Sequence, residues 1–361
     1  MPARMTVKGN SGVGFYTRKC AGRLVGALLL NLLLLGAASV EAGTIVRVST
    51  TVGDFSIELY DAVTWRTVAN FLGYVNGEAL DINGDPLGGT VNFNQTYLHR
   101  TQSAETQGIG IVQGGAYRFQ SFTGPIPITT SGLIPNVLNE PQYSNTRGTI
   151  AMAKIAGNPD SASYQWFFNT SDNSNPLDID NGGFTVFGQV LGGADGSDTE
   201  AGMQVLDTIQ GLQKYRPCVV SVACPRADFA PIVTEEYGGK PDEEFVFVSM
   251  AVVSRYSQAV NLFEPLSQQI MGAVAVDDVA AYRIRFQVLV VDNQIILDPI
   301  VDSLLLLRDI PAEAATFSSG SNRLIFPSIE LSESDTLCNV EFELSDPQAP
   351  QFRLLGTPDS C

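Results

Sequence analysis

Apolar residues in this chain recur at every second position, in short runs separated by turn-forming residues, and that period constrains the fold more than any other feature. Phe55, Ile57 and Leu59 alternate with Ser56 and Glu58. Tyr282, Ile284, Phe286 and Val288 alternate with Arg283, Arg285 and Gln287, and the pattern returns in Val340 to Leu344 and in Phe352-Arg353-Leu354. A period of two belongs to strands with one buried face, so the spacing predicts a mainly β protein. One segment differs. Thr64 to Asn76 carries Trp65, Val68, Ala69, Leu72 and Val75 at helical spacing and stops at Gly77, which predicts a helix. Gly53-Asp54 predicts the turn of a hairpin whose first strand runs over Ile45 to Ser49.

The start of the chain reads as a targeting segment. Arg4, Lys8, Arg18, Lys19 and Arg23 precede a nearly continuous apolar run, Leu24 to Leu35, and Val40-Glu41-Ala42 offers a small-x-Ala cleavage site. The apolar part is short for a membrane span, so a secretory signal over 1–42 is expected, with an uncleaved anchor as the alternative. Cleavage removes five basic residues and Glu41 from totals of 21 and 38, leaving 16 against 37 and a net charge of -21. Such a surface repels nucleic acid and anionic lipid, so neither is expected as a partner. The expected location is periplasmic or secreted, with no membrane association after cleavage, and a monomer is expected.

The length left after 1–42 exceeds one ordinary domain. The run Phe245 to Val253 reads as a buried strand closing the first, so the expected division is 43–256 and 257–361. The second part has strand-like pieces at Leu304 to Leu307 and Leu324 to Phe326 as well, which predicts a small β-sandwich-like module. It holds no histidine and no nucleophile–base cluster, and its role is not legible. Gly77 to Asn92 and Gln213 to Glu243 read as insertions on the first domain. Within the former, Asp81, Asn83 and Asp85 have the spacing of a calcium loop, but Asn92 stands where the closing Glu belongs, so a plain turn is preferred.

Four cysteines follow residue 42: Cys218, Cys224, Cys338 and Cys361. In an oxidising compartment an even count favours disulfides, and nearness in sequence suggests Cys218–Cys224 and Cys338–Cys361, although three connectivities exist. A metal site is disfavoured because His99 is the sole histidine and no CxxC spacing occurs. No metal or other cofactor is expected.

Five short strings then appear in order: Tyr97-Leu98-His99-Arg100, Val112-Gln113-Gly114-Gly115, Ala151-Met152-Ala153, Gln165-Trp166-Phe167-Phe168 and Val186-Phe187-Gly188. Their order and approximate spacing resemble the cyclophilin family of peptidyl-prolyl cis/trans isomerases. The resemblance implies a closed antiparallel β-barrel with flanking helices over 43–256, and the predicted hairpin and helix suit its opening. It also implies a groove that takes proline-containing polypeptides. Arg100 then corresponds to the catalytic arginine, preceded by His99. Gln113 matches the glutamine that binds the substrate backbone, and Ala153 the residue whose backbone holds the peptide. Gln165 matches a second groove glutamine, Phe167 the floor of the proline pocket, and Leu177 its leucine wall. Phe184 falls where the family carries His or an aromatic residue.

Departures from the family pattern are specific. Twelve residues separate Arg100 from Gln113, more than the family's usual interval, and Thr101 to Gly108 forms the insert. Gly110 falls at the position of a pocket phenylalanine, with Ile109 and Ile111 beside it. Lys154 replaces a common Asn, and Pro176 a common Trp or Phe. A shallower pocket with weaker turnover and altered inhibitor binding is expected.

The chemistry implied needs no nucleophile. Rotation about an X–Pro bond breaks amide resonance, at a barrier of roughly 20 kcal/mol. A guanidinium that donates a hydrogen bond to the pyramidal proline nitrogen stabilises the twisted state, and it stays charged at any working pH. The expected function is therefore isomerisation of X–Pro bonds in folding or exported proteins, with a catalytically weak peptide-binding or adhesion module as the alternative. His99 is read as a hydrogen-bonded core residue rather than an acid or base. A Ser-His-Asp hydrolase is disfavoured, since no G-x-S-x-G occurs.

Overall fold

A computed structural model describes residues 43–120, 124–129, 131–214, 232–233, 244–346 and 350–361. The expected signal segment and the Cys218/Cys224 pair lie outside the described residues. In the first part the strands are β1 (Ile45–Thr50), β2 (Gly53–Leu59), β3 (Thr96–Tyr97), β4 (Arg100–Gln102), β5 (Ile111–Gly114), β6 (Tyr117–Gln120) and β7 (Gly124–Pro127). They continue with β8 (Thr149–Met152), β9 (Trp166–Asn169), β10 (Val186–Leu191), β11 (Gln213–Lys214), β12 (Ile232–Val233) and β13 (Phe247–Val253). Apart from the small β11–β12 pair, these strands make one sheet in the order β4-β5-β9-β8-β10-β2-β1-β13-β3-β6-β7.

That sheet curls back on itself. β3 and β4 are two halves of one stretch of chain, interrupted only by Leu98-His99. Leu98 N donates to Val246 O at 2.9 Å and His99 N to Gln113 O at 3.1 Å, so this stretch bonds to both neighbours. The run Phe245 to Val253 supplies the strand between β1 and β3, in unbroken register from Ile45↔Val253 to Thr50↔Val248. Alternation does the rest: Val112, Ile150, Met152, Trp166 and Phe168 turn into the core, while Ile111, Gln113, Ala151 and Phe167 turn the other way. Gly114 makes this possible at one point, because a Cβ there would lie 2.5 Å from the Trp166 ring.

Local expectations shift by small steps. The turn of the first hairpin lies at Thr51-Val52, two residues before Gly53-Asp54, which already belong to β2. Thr50 sets it, its Oγ1 accepting from Val52 N at 3.2 Å and donating to Gly53 O at 2.7 Å. The helix runs Trp65–Asn76 and stops at Gly77, which adopts the left-handed conformation at φ 72°. Its buried face is Val68, Phe71, Tyr74 and Val75, whereas Trp65 is 55% exposed beneath the Arg66 guanidinium. At Asp81 the carboxylate Oδ1 accepts from Asn83 N at 2.8 Å and Asp85 N at 3.0 Å, so it closes its own turn.

The second part contains β14 (Leu262–Glu264), β15 (Gln269–Val276), β16 (Ala280–Val291), β17 (Gln294–Leu307), β18 (Ala315–Ser318), β19 (Arg323–Glu330), β20 (Thr336–Asp346), β21 (Gln351–Leu355) and β22 (Asp359–Ser360). The sandwich-like module expected here is realised as one ring, β15-β16-β17-β21-β20-β19-β18, closed by β15–β18 pairing around Phe286, Leu297, Phe326, Phe342 and Phe352. Cys338 and Cys361 are joined in a disulfide with a Cα–Cα distance of 5.3 Å, tying the C-terminal end to β20.

The two parts meet on an apolar strip and a buried ion cluster. Ile45, Ala251 and Val253 pack with Leu262 and Met271. Asp54 Oδ2 accepts from Arg47 Nη2 at 3.0 Å and lies 2.8 Å from Arg283 Nη2, with all three side chains at most 10% exposed. Arg308 N donates to Thr51 O at 2.8 Å across the same seam.

Candidate active site

Strands β4, β5, β9, β8 and β10 lie side by side, and their registers align one residue from each. Arg100 faces Gln113, Gln113 faces Phe167, Phe167 faces Ala151, and Ala151 faces Val186. Directly paired residues on antiparallel strands share a face, so these five form a row across the outside of the curled sheet. One end of the row is polar and the other apolar.

At the polar end Arg100 Nη1 donates to Gln113 Oε1 at 3.0 Å. Gln113 Nε2 in turn donates to Gln165 Oε1 at 2.9 Å. Gln113 is buried while Arg100 and Gln165 are half-buried, so the chain of bonds is anchored below the surface at its middle link and reaches the surface at both ends. Each glutamine uses one amide group to hold its neighbour, which fixes the guanidinium plane beside the apolar end.

The apolar end is a cluster separate from the barrel core. Ile111, Ala151, Phe167, Leu177 and Val186 are buried together, and Tyr60, Ile109, Ala153 and Phe184 pack against them. Phe184 stands edge-on to Phe167 with centroids 5.9 Å apart at 73°. Ala153 N donates to Gln165 O at 2.9 Å, which ties the Ala153 backbone to β9. Leu177 ends the short helix Ser174–Leu177, and its carbonyl accepts from Phe184 N at 2.9 Å. Asn145 Nδ2 braces the same loop by donating to Phe184 O at 3.1 Å and Asp178 Oδ1 at 3.0 Å. Pro176 is half-buried beside Leu177.

Lys154 lies at the edge of this cluster. Its Nζ donates to Asn181 O at 2.9 Å and to Gly183 O, and sits 4.7 Å from the Phe184 ring centroid. Partial burial lowers its pKa. The ammonium therefore buttresses the 181–184 turn and the Phe184 face.

His99 is 1% exposed, next to Arg100 in the chain and edge-on to Tyr117 at 5.2 Å. Burial, with the Arg100 charge second, pushes its pKa down to about 3. A neutral imidazole inside the protein is part of the scaffold that carries Arg100.

Gly110 sits off the groove face in a polar knot. Its N donates to Ser171 Oγ and to Asn173 Oδ1, both at 2.9 Å, and a Cβ there would lie 2.6 Å from Ser171 Oγ. A phenylalanine has no room at that position, and Ile109 and Ile111 supply the apolar surface instead. The insert Thr101 to Gly108 forms the exposed helix Ala104–Gln107. Gln210 and Lys214 hold its base through the carbonyls of Gln102 at 2.8 Å and Thr101 at 2.6 Å.

Three members of the apolar cluster were not singled out from sequence: Tyr60, Ala151 and Val186. Ala151 and Val186 share strand parity with Ala153 and Phe184, so reading the strings at period two finds them. Tyr60 carries no such signal. Its hydroxyl lies 3.0 Å from Gln189 Oε1, to which it donates, and burial together with Tyr143 pushes its pKa up to about 12.

A family model described as cyclophilin type peptidyl-prolyl cis-trans isomerase/CLD matches residues 45–222. The chain is 33% identical over 171 residues to a peptidyl-prolyl cis-trans isomerase of Acinetobacter baylyi, covering 47% of this chain and 77% of that protein. It is 31% identical over 174 residues to peptidyl-prolyl cis-trans isomerase cyp18 of Streptomyces antibioticus, covering 46% and 84%. It is 29% identical over 183 residues to peptidyl-prolyl cis-trans isomerase A of Dickeya dadantii, covering 49% and 76%.

Proposed function

This chain belongs to the cyclophilin-type peptidyl-prolyl cis-trans isomerase family, and from that premise we propose that its groove twists X–Pro bonds with Arg100 as the catalytic group. The carrying observation is the chain Gln165–Gln113–Arg100 laid beside the Phe167 cluster. A proline ring seated against Phe167, Ile111 and Leu177 brings its nitrogen toward the guanidinium. In the planar amide that nitrogen has no lone pair to offer. As the bond twists, the nitrogen becomes pyramidal, and Arg100 donates to the lone pair that appears. The interaction exists only in the twisted state, so it lowers the barrier rather than tightening ground-state binding. Apolar walls exclude water and strengthen that bond. Gln113 positions Arg100, and Ala153 offers its backbone to the peptide; Gln165, Lys154 and Phe184 shape the rim. His99 moves no proton.

A second reading rests on Gly110. The knot of Ser171 and Asn173 around it leaves no room for a phenylalanine at that position, so this side of the pocket has only Ile109 and Ile111. A groove built this way binds proline peptides with a lower turnover, acting more as a peptide-binding module.

The proposed setting is export. Residues 43–256 form the isomerase module and 257–361 a module for larger partners or placement, acting as a monomer on folding polypeptides in the periplasm or medium. The acidic surface and the Cys338–Cys361 disulfide support that setting. The test is a protease-coupled assay on a proline peptide with purified protein. Acceleration at micromolar protein, unchanged by a chelator, is expected; no gain over the uncatalysed rate moves the reading to the peptide-binding module.

A further inference from the structure

Lys154 stands where the apolar end of the groove meets solvent, and no acid holds it. It continues β8 past Ala153 and is half-buried. An ammonium has three hydrogens to donate. Two go to main-chain carbonyls, those of Asn181 at 2.9 Å and of Gly183. Among the described residues Lys154 forms no ion pair. The charge that reaches it through space is that of Asp160, whose carboxylate accepts instead from Asn139 N at 2.9 Å. In the same loop, Asp178 is taken up by Ser144 Oγ and by Asn145 N and Nδ2, while Asp180 is exposed.

This charge lies close to the pocket floor. Lys154 Nζ is 4.7 Å from the Phe184 centroid, and Phe184 stands edge-on to Phe167 with centroids 5.9 Å apart. One aromatic ring thus separates the ammonium from Phe167. Arg100 stands on β4, at the opposite end of the order β4-β5-β9-β8, so the two residues flank the apolar cluster from different sides. The carbonyls and the ring face orient the ammonium, but none of them carries a full negative charge to balance it. A positive charge left over at the groove is notable in a chain whose formal net charge is -17. Partial burial also keeps it less screened by salt than an exposed charge would be.

We propose, building on the isomerase reading of the same groove, that Lys154 makes the groove select prolines flanked by an acidic side chain, Asp or Glu. A peptide held by the Ala153 backbone passes the next residue, Lys154, as it leaves the proline pocket. A carboxylate beside the proline accepts the ammonium hydrogen that the turn leaves over and balances its charge. A basic side chain at the same place is repelled, and a neutral one gains nothing from the charge.

The test follows cis/trans exchange by NMR with the whole protein and three peptides, identical except for Glu, Gln or Lys on both sides of one proline. The expected kcat/KM is higher for the Glu peptide than for the Gln peptide by about threefold or more, with the Lys peptide lowest. Raising the ionic strength from about 0.01 M to about 1 M shortens the screening length from about 30 Å to about 3 Å and is expected to shrink the difference. Lys154→Met is expected to abolish the preference for Glu over Gln, and Lys154→Arg to keep it. The readout is the ratio between peptides, which a general loosening of the groove does not move. Equal kcat/KM on the Glu and Gln peptides in the wild type, or a ratio unchanged in Lys154→Met, overturns the acid preference and leaves the isomerase reading standing. Acceleration of none of the three peptides overturns both.

Discussion

Arg100 and Gln113 face each other on neighbouring strands, and the side-chain bond between them, Nη1 to Oε1 at 3.0 Å, continues the register of the backbone. The sheet register thus aims the guanidinium through the neutral amide of Gln113.

Phe184 tests the apolar end. Its edge-on contact with Phe167 belongs to a class worth about 0.5–1.5 kcal/mol. Phe184→Ala is expected to raise KM for a proline peptide about three- to tenfold, while kcat changes less than twofold. Peptide kinetics with saturation curves measure both, and a fall confined to kcat would move Phe184 from binding to chemistry.

His99 makes stability depend on acid. Its pKa in the folded protein is pushed down to about 3, below the ordinary value of 6.5. Above pH 6.5 neither state is protonated, and the histidine has no effect. As pH falls below 6.5 the unfolded state takes up the proton that the folded state refuses, so stability declines at up to ~1.36 kcal/mol per pH unit. Urea unfolding at pH 7 and pH 5 should show a loss of about 2 kcal/mol from this source. His99→Gln should lose that increment, and equal slopes in both proteins would contradict the burial argument.

Much of the architecture was legible because its causes are local. Period-two alternation identifies strands wherever one face is buried, as at Phe55, Ile57 and Leu59, and it carries the Ala-Met-Ala and Trp-Phe-Phe strings into adjacent rows. Gly77 marks the end of the helix Trp65–Asn76, but the spacing puts Trp65 and Ala69 on its apolar face and both are exposed, the Trp65 ring lying beneath Arg66 and the small Ala69 losing little by facing water. Closure of the second part into one ring depends on β15–β18 and β17–β21 pairing between distant segments, which no local pattern encodes. The Arg47–Asp54–Arg283 cluster escaped the sequence reading for the same reason, as did the polar knot at Gly110.

That cluster yields an asymmetric prediction. Asp54→Asn leaves two buried guanidinium groups facing each other, and a buried charge stripped of its partner costs about 3–5 kcal/mol. Arg283→Met leaves a balanced Arg47–Asp54 pair and should cost less, on the order of 1 kcal/mol. Urea midpoints of the two variants decide the matter. Equal losses would mean that the seam is held by its apolar strip, Ala251, Val253, Leu262 and Met271, and not by charge.

The Cys338–Cys361 bond spans 23 positions in sequence. Closing a loop of that length stabilises the folded chain by roughly 3 kcal/mol on the chain-entropy model. Cys361→Ser should lower the urea midpoint of the second part by a corresponding amount and leave peptide isomerisation unchanged. Unaltered unfolding would show that the C-terminal end contributes nothing to the ring.

The catalytic proposal stands on Arg100, and the Arg100→Lys variant tests it most directly. Lysine keeps the charge but loses the planar, Gln113-held geometry. Losing a preorganised donor of this kind typically costs about 2.7–4 kcal/mol in barrier, or a factor of about 100 to 1000 in turnover. The measurement is kcat/KM on a proline peptide beside the affinity of the same variant for that peptide. The account predicts a fall of about 100-fold or more in kcat/KM with affinity within about twofold of wild type. Wild-type turnover in Arg100→Lys would contradict it.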